Sequence, residues 1–414
     1  MSGVPESKLP DGLPERNAGQ LPRNVKLLGW TSCLNDVASE MIYPLLPLFL
    51  ITVLGGNRLA LGVIEGVADS AASLLKLWSG ARSDRSTRRK GFVLFGYGLA
   101  ALSRPLLSTI FTPWQLFAAR AADRIGKGIR TSPRDAMIAD STPKELHGRA
   151  FGFHRAMDHG GAALGPALAA IFLWFWPDQL RSLFLLTLLP GIAVMLILAF
   201  GLKEPPQTAP IDDNNEKRGR LTLQPFGRDF RVFLVSLIVF TLGNSTDAFL
   251  LVRAGELGVP TVMLPLLWFV FHVAKSGGNL IVGRFVDRAG PLRPLRAGWL
   301  LYAVVYLLFG IATETWHVWA LFLVYAIYYA LTEPAEKTLV SRLVGEEHKG
   351  LAFGWFNCAI GISALPASLL FGLLYDQFGP LAAFGWGAAL ALLALGLLTA
   401  VHLPPDETKL ERDE

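Results

Sequence analysis

Stretches of about twenty mostly apolar residues recur from one end of this chain to the other, and a helix of that length spans a hydrocarbon layer. A backbone in lipid must satisfy its own N–H and C=O groups, so only helices and closed barrels can cross. The runs have helical length and lack the short alternating strands of a barrel. The chain therefore reads as an all-α integral membrane protein. Composition agrees: 52% of the 414 residues are hydrophobic, 17% are charged and the mean hydropathy is positive, too apolar for a soluble enzyme. Twelve spans are expected, at 25–53, 60–80, 91–111, 114–140, 149–175, 181–202, 229–252, 262–285, 294–313, 316–342, 350–374 and 380–402.

Lysine and arginine collect in every second loop: Arg23 and Lys26, Arg82 to Lys90, Lys144 and Arg149, Lys217 to Arg231, Arg284 to Arg296, and Lys349. By the positive-inside rule these loops and both termini face the cytoplasm, as in a bacterial inner membrane. The net charge of +5 thus reports topology and not nucleic-acid binding. No cleavable leader is expected in Met1–Asn24, which lacks a basic start followed by an apolar core. Cys33 and Cys358 both fall in predicted helices, so neither a disulfide framework nor a cysteine metal site is expected. The polar, proline-bearing stretch from Glu204 to Gly227 suits a flexible linker. The expected organisation is a tail at 1–24, a six-helix bundle at 25–202, a linker at 203–228, a second bundle at 229–402 and a tail at 403–414, both tails and the linker being cytoplasmic.

The two halves look related. Gly80, Asp84 and Arg85 are matched by Gly283, Asp287 and Arg288; Ala150, Phe151 and Gly152 by Ala352, Phe353 and Gly354; Pro133 and Asp135 by Pro334 and Glu336. The pairs keep a separation of about 200 residues, as two parallel repeats of six spans would. Span four departs from the rest because Arg120, Asp123, Arg124, Lys127, Arg130 and Arg134 share a helical arc of roughly 120°. Its opposite face, through Ala118, Ala122, Ile129 and Ser132, is small or apolar. The expectation is a helix lining a water-filled path.

At these residues the chain resembles the major facilitator superfamily over nearly its whole length, which implies two six-helix bundles and secondary active transport. The loop after span two, with Gly80, Asp84, Arg85, Arg88, Arg89 and Lys90, is similar to the family's loop motif. The resemblance implies a cytoplasmic latch that joins the bundles when the transporter faces outward. Arg82 and Thr87 stand where the family usually has an apolar residue and a glycine. Span five carries Gly152, Gly161, Gly165 and Pro166, similar to the signature of antiporter-type members that export their substrates. Alanines at 169 and 170 replace the glycines that usually follow. Gly161 and Gly165 share a face that lets helices approach closely, and Pro166 favours a bend. The family often places a basic residue midway in span four, where this chain offers both Arg120 and Arg124.

Ionisable residues inside a bilayer must pair or stay wet. Here they concentrate in the first half: Asp36 and Glu40, Glu65 and Asp69, the span-four series, and His154, Arg155, Asp158 and His159. The expectation is that Arg120, Arg124, Lys127 and Arg130 attract an anionic or polar organic solute, with Trp30 and Trp268 available to stack against it. Asp36, Glu40, Asp69 and Asp123 are the candidate proton relay. This amounts to a monomeric, proton-coupled exporter working by alternating access, with a small-molecule substrate, protons and the lipid bilayer as its partners and no cofactor. The alternative is a divalent metal-cation exporter using Asp36, Glu40, Glu65, Asp69, His154, Asp158 and His159 as ligands, against which the neighbouring cations argue. No metal site is assigned, and no motif of a membrane enzyme is found.

Overall fold

Helix ends fall where the sequence supplies caps and breakers. Before span four, Thr112 Oγ1 accepts from the Gln115 N–H at 3.3 Å while Gln115 Oε1 accepts from the Thr112 N–H at 3.1 Å. This reciprocal cap uses donors that the first turn leaves over, and Pro113 lacks one to lose. The computed structural model describes residues 20–403 apart from 47–48, 56–57, 87, 178, 206–220, 246 and 261–262. Most of the expected tails at 1–24 and 403–414, and of the linker at 203–228, lies outside the described residues.

Among the described residues the first half contains α1 Arg23–Glu40, α2 Arg58–Asp84, α3 Arg89–Leu106, α4 Pro113–Asp140, α5 His147–Phe175 and α6 Leu180–Gly201. The second contains α7 Arg228–Gly243, α8 Leu264–Ala289, α9 Leu292–Ile311, α10 Thr315–Leu343, α11 Lys349–Phe378 and α12 Pro380–Leu398. Two spans expected to be continuous are broken. Span one ends its α-helix at Glu40 and resumes as a 3₁₀ turn at Tyr43–Leu45 and a π-turn at Phe49–Val53, because Pro44 cannot donate along a helix. Span seven stops at Gly243 and restarts as Ala248–Glu256. The second break brings Asp247 to the hydroxyls of Tyr325 and Tyr329, 2.9 and 3.1 Å away.

Within the first half α4 packs on α2 and α3, and α1 on α5; in the second, α10 packs on α8 and α9, and α12 on α7 and α9. The halves meet where α5 crosses α8 and α2 crosses α11. Glycine permits both crossings. A β-carbon on Gly148 would sit 2.7 Å from the Gly283 carbonyl oxygen, and one on Gly283 equally close to that of Gly148; Gly80 and Gly350 meet in the same way at the related crossing. The sequence repeat is therefore also a repeat of contacts. Outward-facing positions are apolar, with Leu102, Ile171, Trp174, Phe200 and Ile281 all exposed, as a lipid-facing surface requires.

Candidate functional site

The charged arc of α4 turns inward. Arg120, Asp123, Arg130, Arg134 and Asp135 are all buried, so the face predicted to be wet meets protein and a cavity. That cavity, about 130 Å³, is lined by Asn35, Asp36, Ser39 and Glu40 of α1, by Tyr43, by Arg104 of α3, and by Arg124, Lys127 and Arg130 of α4. Every lining residue among those described is polar. Arg104 holds its place through Asp123, 2.9 Å away, and through the Asn35 carbonyl and side chain at 2.7 and 3.0 Å. Arg130 stacks over the Tyr97 ring at 4.3 Å and donates to the Gly96 carbonyl. A smaller adjoining pocket is lined by Arg120 and Asp123 together with Arg104 and Ser39.

The halves are clasped at the end that carries the basic loops. Asp84 accepts from the Gly350 and Leu351 N–H groups at 2.8 and 2.7 Å, at the start of α11. In the other half Asp287 does the same for Gly148 and Arg149 of α5, at 2.7 and 3.1 Å. Each carboxylate takes up donors that the first turn of a helix leaves unsatisfied and sits at the positive end of its dipole. Arg89 links Asp84 to Asp140, and Lys349 reaches Asp140 from the other half at 3.1 Å.

A second set of contacts runs toward mid-height. Glu333, Lys337 and Ser341 lie four residues apart on α10 and so on one helical face. Each meets the first half: Glu333 with His159 Nε2 at 2.7 Å, Lys337 with Asp135 at 2.5 Å, and Ser341 with His147 Nδ1 at 2.5 Å. His147 Nε2 lies 3.1 and 3.0 Å from the Ala139 and Thr142 carbonyls, which places its proton there and leaves Nδ1 to accept from the Ser341 hydroxyl. Asn279 of α8 also donates to Glu333, at 3.0 Å.

Of the residues singled out in the sequence, Asp36, Glu40, Arg124, Lys127 and Arg130 come together on one cavity, with Arg120 and Asp123 beside it. Asp123 is held among Arg104, Arg120 and Arg124. Trp30 is 54% exposed and is not a lining residue. Trp268 packs against Phe271 and His272 in the second half, also away from that cavity. The side chains of Glu65 and Asp69 lie outside the described residues. Gly80, Asp84 and Arg89 lie at the α2–α11 clasp, whereas Arg85 and Arg88 are exposed. Gly152 meets α8, and Gly161 and Gly165 meet α1 at Cys33 and Val37, with Pro166 one residue further along α5. Among the described residues no group of three or more His, Cys, Asp and Glu could hold a metal ion. Sequence reasoning passed over Arg104, Asn35, Ser39 and Tyr43; a lone cation inside span three was the available signal.

A family model described as Major Facilitator Superfamily matches residues 28–365 and 232–414. An uncharacterized MFS-type transporter of Methanocaldococcus jannaschii is 33% identical, with 92% of this chain and 95% of that protein covered. The class E tetracycline resistance protein of Escherichia coli is 26% identical, over 89% and 93% of the two chains. Among solved structures, the human organic anion transporter MFSD10 superposes with a TM-score of 0.74 at 20% identity, covering 91% of this chain and 99% of that one. The fucose:proton symporter of E. coli gives 0.76 at 16% identity, covering 92% and 98%.

Proposed function

Because this chain belongs to the Major Facilitator Superfamily, and is thus a multi-pass membrane transporter and not an enzyme, we propose that it exports a small organic solute in a proton-coupled, alternating-access cycle. The observation that carries the reading is one polar cavity in which Arg124, Lys127 and Arg130 stand across from Asp36 and Glu40. The cations attract the acidic part of the solute, and the carboxylates exchange protons with the cavity water. The driving force suffices: one charge crossing 100 mV corresponds to about 2.3 kcal/mol, or roughly fiftyfold accumulation.

Export is supported by the glycine series of α5 and by relatives whose names are those of resistance proteins, for tetracycline and for multiple drugs. The working unit is a monomer in a bacterial cytoplasmic membrane with both termini inside. On that orientation the clasped basic end is cytoplasmic, and Asp84, Arg89 and their partners form the latch of an outward-facing state. The test is a proteoliposome assay with an imposed pH gradient, screened against organic anions, zwitterions, lipophilic cations and divalent metals. Proton movement is expected with a single polar organic class, and Lys127→Gln and Arg130→Gln are expected to reduce transport at least tenfold while the protein still folds. Full transport by both variants would remove the cavity as the site.

A further inference from the structure

Of the acids Asp247, Glu333 and Glu336 in the second half, two are provided for. Asp247 accepts from the Tyr325 and Tyr329 hydroxyls at 2.9 and 3.1 Å. Glu333 accepts from the Asn279 amide at 3.0 Å and meets His159 at 2.7 Å. Glu336 accepts no hydrogen bond of normal geometry and makes no ion pair among the described residues. The polar group that reaches it is the indole N–H of Trp299 on α9, which is fully buried and has no other acceptor. Its counterpart in the first half, Asp135, is held by Arg134 and Lys337. Where the first half reads Pro133, Arg134, Asp135, the second reads Pro334, Ala335, Glu336, so the repeat keeps the acid without the arginine.

Every side chain of α5, α7, α9 and α10 is described, and the charges around Glu336 can be named. On α10 itself Lys337 holds Asp135 and Glu333 has the partners above. Arg155 comes from α5 and is held by Asp158 at 3.1 Å, while His147 lies on the Ser341 hydroxyl. From α9 comes Arg296, which donates to the Leu398 carbonyl. On α8, Lys275 stacks over the Tyr329 ring at 3.4 Å and His272 packs beside His159. Lys349 of α11 pairs with Asp140, and Cys358 of the same helix is a buried thiol. From Phe233 to Gly243, α7 carries no titratable group. Each cation near Glu336 is engaged elsewhere.

A buried, unpaired carboxylate inside a bilayer costs more than binding a proton does near neutral pH. Resting on the export reading above, we propose that Glu336 carries a proton of the exchange cycle, in addition to Asp36 and Glu40, holding it while the basic end is clasped and losing it to the cytoplasm when that end opens. Opening changes the balance at this acid in two ways. Water reaches it, and Lys337, parted from Asp135, turns its charge on the neighbouring carboxylate. The proton on Glu336 and the bridge from Asp135 to Lys337 are therefore kept together and lost together. The direction suits exchange: Glu336 is partly exposed in the clasped state, so a proton arrives from the far side and leaves at the basic end, against the solute. By linkage, the state that binds more protons gains at low pH. Acid holds the clasp shut and alkali opens it.

The test needs no solute. Spin labels at Glu145 and Glu347, exposed in opposite halves, read the ratio of open to clasped basic ends in the full-length protein in nanodiscs from pH 6 to pH 9. One linked proton changes that ratio by at most about tenfold per pH unit, and the parent's ratio is expected to rise at least tenfold across the range. Glu336→Gln, uncharged at every pH, should stay near the parent's acid-side ratio and lose most of that rise. Glu336→Met keeps the position neutral and should do the same if the first variant does not fold. A packing role alone would leave the pH response of the neutral variants parallel to the parent's. That result, a parent with no pH response, or opening on the acid side overturns the assignment. Proton-driven transport in the proteoliposome assay together with an unchanged pH response in Glu336→Gln would sink this assignment and leave the export reading standing. No proton movement with any solute would remove the export reading, and with it the coupling role, whatever the labels show.

Discussion

The contact between Asp135 and Lys337 offers the sharpest test of how the halves are held. The ammonium lies 2.5 Å from Asp135 Oδ2, with the two side chains 1% and 0% exposed. Arg134 occupies the other carboxylate oxygen at 3.0 Å. Asp135→Asn keeps the shape and removes the charge, leaving Lys337 buried beside Arg134 and Arg155, with Glu336 as a neighbouring acid. Breaking one partner of a buried pair costs about 3–5 kcal/mol, which here falls on the clasped state alone, because separation of the halves lets the ammonium reach water. The ratio of open to clasped basic ends should therefore rise more than a hundredfold. Spin labels at Glu145 and Glu347, exposed and in opposite halves, would read this as a shift from short to long distances in nanodiscs. Lys337→Met should act more weakly, since Arg134 still holds Asp135, and the double variant should fall well short of the sum. A distance distribution for Asp135→Asn that superimposes on the parent's would refute the reasoning.

The same label pair tests the capping carboxylates. Asp287→Ala removes the acceptor of two backbone N–H groups and should weaken the clasp by about 1 kcal/mol, whereas Asp84→Ala should cost more because it also strips Arg89 of a partner. Gly148→Ala should open the α5–α8 crossing at a cost of about 1–3 kcal/mol, seen as lost short distances, while Gly91→Ala, with nothing within 4 Å of the new carbon, should change nothing. Asp123→Asn leaves Arg104, Arg120 and Arg124 without their shared buried counter-ion, and thermal unfolding in detergent should show a loss of about 3–5 kcal/mol; an unchanged midpoint would deny it a structural role.

How far the sequence reached depended on whether a signal was local. Span lengths follow from apolar runs, and the cationic face of α4 follows from a period of 3.6, so both can be read along the chain. The repeat was legible because Gly80, Asp84, Gly283 and Asp287 keep one offset, and the structure gives that offset a physical use: each half caps a helix of the other. The breaks in spans one and seven are less plain. Pro44 and Pro47 announce the first, but the second rests on Gly243 and its surroundings, where only the packed structure reveals that Asp247 belongs under two tyrosine hydroxyls.

What one chain cannot disclose on its own is which buried charges choose each other. Asp135 and Lys337 stand 202 residues apart, and nothing in either neighbourhood names the other. On α10, Glu333, Lys337 and Ser341 continue the four-residue spacing of Tyr325 and Tyr329, and those aromatic residues dominate the reading of that face. Set against α4 and α5, the same face becomes three polar contacts on one side of a helix, from mid-height to the basic end. Each must part before that end can open. The described lining of the cavity belongs to one half, and α4 gives solute binding a direct route to the clasp, since its Arg130 lines the cavity and its Asp135, little more than one turn on, holds Lys337. One helix thus carries both the candidate site and the clasp it has to release.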